Sequence, residues 1–294
     1  MEQADESMWR LLAGAVTKTP AKRRSSSVAI GDSKKLYSRQ RENALEHLER
    51  GVLGNLAVLG LRPASLRHLL SDISLATLKE LRHYPWYAED DLPVPHCISA
   101  TDVAMSANVL DVAMAAKGIR PLGVRSEVVL PGEFNRLVDL TDNKSTVVFD
   151  VAARLLVHLW KTMPGTLVRI FVDRQGGRMR YLEPLQRIFP DCQYKIIDES
   201  ETSSSYRITD GGRMAEISFI VEAEDRHLPV ALASMTSKYV RELFMELFNR
   251  FWVGKSPHTE PTAGYAVDGK RFYEEIRPLV QSLGIDERLI YRSR

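Results

Sequence analysis

The chain has 294 residues, of which 44% are hydrophobic and 27% charged, enough apolar material to bury a sizeable core. That balance excludes a disordered, collagen-like or disulfide-stapled protein. The net charge of +2, from 40 Lys and Arg against 38 Asp and Glu, argues neither for nor against a polyanionic partner.

Two cysteines, Cys97 and Cys192, have no metal-ligand spacing and suit a reducing compartment. No apolar run nears the roughly 18 residues of a membrane span, and no signal-peptide pattern stands at Met1. A soluble, cytoplasmic protein is the expectation.

In chain order, residues 1–27 predict a short helix, with Met8, Leu11, Leu12 and Val16 on one face, and then a basic Ser-rich loop containing Ser25, Ser26 and Ser27. Near-neutrality conceals local asymmetry. From Thr17 to Arg41 stand eight basic residues (Lys18, Lys22, Arg23, Arg24, Lys34, Lys35, Arg39 and Arg41) and one acid, Asp32. Such a block suits a phosphate backbone through counterion release, or equally a solvated arm without a partner.

Residues 36–124 read as mostly helical, with breaks at Arg62-Pro63 and in the Pro-rich stretch 84–95, where Trp86 and Tyr87 suggest a packed aromatic anchor. Residues 125–229 alternate strands and helices. A β-like segment at 125–130 leads to a helix over 147–160, with N-cap chemistry at Asp142-Asn143-Lys144-Ser145. A strand at 166–172 ends in Asp173 and is followed by Gly176-Gly177 and an amphipathic helix (Tyr181, Leu182, Leu185, Ile188). Further strands are expected at 194–197, 205–208 and 216–221, then a long helix with Val240, Leu243, Phe244, Leu247, Phe248 and Phe251 on one face. The pattern predicts an α/β fold, a sheet flanked by helices.

Two places invite chemistry. Asp173 ends a hydrophobic strand, and ligand or catalytic groups gather at the carboxyl ends of strands in α/β sheets; a simple turn-forming Asp is the alternative. Glu222, Glu224 and Asp225 follow the strand at 216–221, ahead of Pro229 and the small-residue run Ala231-Leu232-Ala233-Ser234. A polar loop capping a core helix is the plain reading there. Taken together, the acids suit Mg²⁺, and two such ions roughly 3.5–4 Å apart support phosphodiester hydrolysis. The seven histidines show no pair at ligand spacing, and Ser234 has no recognisable base.

Four segments carry a likeness to a family. Gly31-Asp32-Ser33-Lys34-Lys35-Leu36 resembles the D-S-K-K-L segment of type 2 ribonucleases H (ribonuclease HII). Ile170-Phe171-Val172-Asp173 resembles the strand ending in that family's third acidic residue. Asp225, Pro229, Ala233-Ser234-Met235-Thr236-Ser237-Lys238 and Arg241 resemble its D-x-x-x-P…A-S-[IM]-x-x-K…R block, and Gly264-Tyr265 its G-Y motif. The order matches, and the likeness spans roughly residues 28–52 and 125–285.

The resemblance implies a ribonuclease H-like mixed sheet flanked by helices over 28–294, with residues 53–124 as a helical expansion within it. It implies an endonuclease acting on the RNA strand of RNA–DNA hybrids or at embedded ribonucleotides, with Mg²⁺ or Mn²⁺ at a four-carboxylate site. Asp173 and Asp225 carry over as metal ligands. Glu224 is the rival to Asp225, since the spacing from Pro229 to Ala233-Ser234 is one residue short. Lys34, Lys35, Ser234 and Lys238 would hold backbone phosphates, and Tyr265 would stack at the RNA–DNA junction and help sense the 2′-hydroxyl.

The family opens on a D-E-x-G-[RY]-G strand that supplies two further carboxylates, and no such motif stands here. Asp5-Glu6 precedes Ser7–Leu11, which lacks both glycines and reads as helix. The expectation is a chain beginning downstream of that strand. The alternative function is then a catalytically impaired nucleic-acid-binding relative.

Overall fold

The computed structural model describes residues 7–20, 26–76 and 79–292. Asp5, Glu6, Lys22, Arg23, Arg24 and Ser25 lie outside the described residues.

Helix α1 (Met8–Leu11) is a single turn, and the apolar spacing that continues to Val16 is not one helix. Gly14, at φ +90°, swings the chain into β1 (Val16–Thr17), which pairs in parallel with β2 (Val28–Ala29). Tertiary contact decides this. Trp9 donates its indole N–H to the Ile30 carbonyl at 2.8 Å, and Trp9, Leu12, Val16, Val28 and Ile30 enter one core.

The helical reading of the next stretch holds: α2 (Ser33–Leu36), α3 (Glu46–Val58), α4 (Leu66–Ile73), α5 (Pro85–Ala88) and α6 (Ala100–Ala116) follow in order. Helices α3 and α6 approach closely because Gly54 leaves no side chain between them; a Cβ there would stand 3.1 Å from that of Ser106. The aromatic anchor is also present. Trp86 is 2% exposed and packs edge-on against Phe248, with ring centroids 5.4 Å apart.

The β-like segment at 125–130 is not a strand. Only Ser126 makes an isolated bridge, to Ser74, because the segment crosses the end of α4 and then gives way at Pro131 to a helix. That helix, α7 (Pro131–Thr141), precedes α8 (Lys144–Thr162), whose N-cap Asn143 accepts from the Thr146 N–H at 3.1 Å.

Strand β3 (Leu167–Asp173), helix α9 (Leu182–Ile188) and strands β4 (Gln193–Glu199), β5 (Ser203–Asp210) and β6 (Arg213–Ile220) then build a four-stranded sheet in the order β3-β6-β5-β4. β3 runs parallel to β6; the other pairs are antiparallel. One face carries Ile170, Tyr206, Ile208, Ala215, Ile217 and Phe219 against Phe149 and Leu156 of α8 and Leu185 of α9, a second core. The period-2 alternation leaves Phe171 and Asp173 on the opposite face.

Leaving β6, a 3₁₀ turn (Ala223–Asp225) leads into α10 (Leu228–Lys255), the spine of the larger core, and α11 (Ala266–Ser282) closes it with Phe272, Ile276 and Val280. The molecule is α/β, 51% helical, with a mixed four-stranded sheet flanked by helices. No helix among the described residues is long and apolar enough to cross a membrane. Both cysteines are free.

Candidate functional site

The sequence-selected residues fall along one side of α10. At its start, Asp173 ends β3 and accepts the Ala223 N–H at 3.1 Å, so the strand's last carboxylate holds the 3₁₀ turn in place. Glu222, just before that turn, takes a left-handed φ of +53°. The turn carries Glu224 to within hydrogen-bond reach of Asp173. Burial raises the Glu224 pKa, and the charge of Asp173, its hydrogen bond and the charge of Asp32 add to the rise. Asp225 is exposed instead, its backbone carbonyl taken by the Lys18 ammonium at 2.5 Å. The structure therefore brings Glu224, the rival of Asp225, onto Asp173, with Asp32 close by.

The segment Asp32–Leu36 has a structural reason at nearly every position. Asp32 caps α2, accepting the Lys34 N–H at 2.9 Å, and pairs with Lys35 at 3.4 Å. Ser33 is buried and shares a hydrogen bond with Ser234 of α10, 3.0 Å between hydroxyl oxygens. Leu36 is wholly buried in the larger core. Lys34 and Lys35, by contrast, both project from the surface. Gly31 is required by crowding, since a Cβ there would lie 2.2 Å from the Lys18 carbonyl oxygen.

One turn beyond Ser234, about 6 Å along the helix axis, Lys238 is already engaged. Its ammonium donates to Glu242 at 2.7 Å, reaches the Tyr265 hydroxyl at 3.4 Å and lies 4.2 Å from the centre of the Tyr37 ring. Glu242 also accepts from Tyr37 (2.7 Å) and Arg241 (2.7 Å). Burial alone would raise the Glu242 pKa, yet hydrogen bonds from Lys238 and Tyr37 and the charges of Lys238 and Arg241 outweigh it and hold the pKa low. Burial and Glu242 together push the Tyr37 hydroxyl up. Tyr265, 58% exposed, caps the start of α11 with Arg241 stacked 4.6 Å from its ring centre.

Glu242 and Tyr37 thus belong to the arrangement although sequence reasoning gave them no role; Asp32 entered it only through the D-S-K-K-L likeness and Lys18 only through the basic block. The i,i+4 relation of Lys238 and Glu242 was a readable signal; the fold alone places Lys18 and Tyr37. Phe171 of β3 adds a stacked ring on His227, with centroids 3.8 Å apart, beside the carboxylates on the outer face of the sheet.

The donor set is hard carboxylate oxygen, which suits Mg²⁺ or Mn²⁺ over softer ions. Among the described residues no group of three or more His, Cys, Asp or Glu is placed to hold a metal ion. Asp173 and Glu224 by themselves offer two carboxylates, so an ion held there would draw the rest of its shell from water or a substrate phosphate. Comparison with family models, curated proteins and solved structures gives no match to this chain.

Proposed function

We propose that this chain is a type 2 ribonuclease H-like endonuclease, acting on RNA–DNA hybrids or on duplexes with embedded ribonucleotides. One observation carries the reading. Four sequence segments with that family's likeness, far apart in the chain, meet along α10: Asp32–Lys35, Asp173, Glu224 through Lys238, and Gly264-Tyr265. The parallel pair β3–β6, with its acid at the carboxyl end, supports a ribonuclease H-like sheet.

In this reading Asp173 and Glu224, with Asp32 beside them, would hold Mg²⁺ or Mn²⁺; Glu224 takes the place first assigned to Asp225. Such an ion, when bound, activates water and offsets charge on the leaving oxygen. The acids' own part is to present unprotonated oxygens, and burial with the charges of Asp173 and Asp32 makes Glu224 the weaker acid of the pair. Lys34, free to reach outward, and Lys35, exposed beside Asp32, contact backbone phosphates. The Ser33–Ser234 pair offers hydroxyls at the groove floor. Lys238, held by Glu242, orients Tyr265, whose exposed ring stacks on a sugar or base at the RNA–DNA junction.

The carboxylate count favours a second reading, binding without hydrolysis: among the described residues Asp173 and Glu224 alone come within hydrogen-bond reach of each other, two acids against the four that the resemblance implies. One assay separates the two. A duplex with a single ribonucleotide is incubated with the full chain, with and without Mg²⁺, and its products are resolved by length. Cleavage that needs Mg²⁺ and falls by about 10²-fold or more in Asp173→Asn and Glu224→Gln supports the enzyme. Binding without cleavage supports the second reading. Undiminished metal-dependent cleavage in both variants overturns the site.

A further inference from the structure

A cavity of about 570 Å³ lies between α10, α5, residues 126–131 and the C-terminal residues 289–292, apart from the carboxylates. Its volume falls in the range of small-molecule sites. A third of its lining residues are aromatic, Tyr87, Tyr265 and Tyr291 among them, and its charges are unequal. Glu127, the acid on its wall, is spent on Arg154 at 2.5 Å, and its side chain is 5% exposed. Arg241 shares Glu242 with Lys238, so two cations draw on one carboxylate.

Arg292 has no carboxylate partner among the described residues; its guanidinium lies over the Phe134 ring at 5.1 Å. Loss of water on its protein-facing side lowers the Arg292 pKa, and the charge of Arg241 lowers it further. Both guanidiniums line the same cavity, and the second has no acid beside it there. Two arginines on one cavity wall suit an anion, and guanidinium is the side chain best shaped to grip a phosphate. Flat aromatic walls next to it favour a planar group attached to that anion.

We propose that this cavity binds a nucleoside monophosphate, with its phosphate between Arg241 and Arg292 and its base among the tyrosine rings. The cavity shares Tyr265 with the proposed nuclease groove but lies apart from its Lys34, Lys35 and carboxylates, which line none of it. Ligand contact would join the C-terminal segment to α10 and α5, so the bound form also unfolds at higher temperature.

Isothermal titration of the full chain at low salt with each of the four ribonucleoside monophosphates is the test. Adenosine and inorganic phosphate serve as fragments. Saturable binding of at least one nucleotide, one per chain, is expected, with each fragment weaker. Arg292→Gln, an exposed change near the C-terminus, should weaken binding about tenfold, the scale of one charged hydrogen bond. Lys34→Gln should leave it within about twofold. The proposal fails if none of the four binds saturably, if Arg292→Gln binds as the parent does, or if phosphate alone binds as tightly as the nucleotide. Equal weakening by Lys34→Gln also overturns it, because the nucleotide would then sit on α2.

Discussion

Individual carboxylates in this protein divide by what surrounds them. Glu242 lies among cations and a phenol and stays ionised; Glu224 lies by Asp173 and Asp32 and holds its proton more tightly. For Glu224 the folded-state pKa stands above the unfolded one. Its stabilising contribution is therefore complete below the ordinary Glu value, about 4.3, and is lost as pH rises through the raised value. At neutral pH the acid pair costs stability. Glu224→Gln, which keeps a donor toward Asp173 without the charge, should raise the thermal midpoint at pH 7 by on the order of 1 °C, a gain absent near pH 4. A lower midpoint at pH 7 would contradict this electrostatic account. Asp173 was legible as a chemical candidate because an acid at the end of an apolar strand is conspicuous. The choice between Glu224 and Asp225 was not, since adjacent residues on a 3₁₀ turn point in different directions that only the turn's docking on β3 fixes.

At the scale of elements, the link from β2 to α2 shows local chemistry and long-range crowding acting on neighbouring residues. Asp32 is an ordinary cap, and Asp32→Ala should cost about 1 kcal/mol in urea unfolding. Gly31→Ala meets backbone, not a flexible side chain, and must open the contact between Lys18 and the β2 end, where Ile30 donates to the Thr17 carbonyl at 2.8 Å. A loss of about 1–3 kcal/mol is expected, the range for overpacking, measured as a shift of the urea midpoint. If Gly31→Ala costs no more than Asp32→Ala, the close approach is not binding the two strands together. Helices and strands with a clear period were readable, from the capped α8 to β6. The segment at 125–130 was not, because alternation marks a strand only where a partner strand lies alongside, and here a helix end does.

Across the whole molecule, α10 joins everything: its inward face fills the larger core, its start holds the carboxylates, and its side carries Ser234 and Lys238. Glu49 ties that helix to the rest. Fully buried on α3, it accepts the backbone N–H groups of His96 (2.5 Å), Cys97 (2.8 Å) and Ile98 (3.0 Å) and the Tyr239 hydroxyl (2.7 Å). Glu49→Ala would strand four donors, so a loss of at least about 3 kcal/mol is expected in denaturant unfolding. A loss under about 1 kcal/mol would mean water replaces the carboxylate. No local pattern marks Glu49, since it sits among the charged residues that open α3 and the groups it accepts from lie 47 to 190 positions away. The sequence alone determined the α/β class and the periodic elements, because period and caps are written in near neighbours. Which acids approach each other and where an unmatched arginine faces a cavity were decided only by tertiary structure, because those contacts join residues whose separation in the chain carries no information about their distance in space.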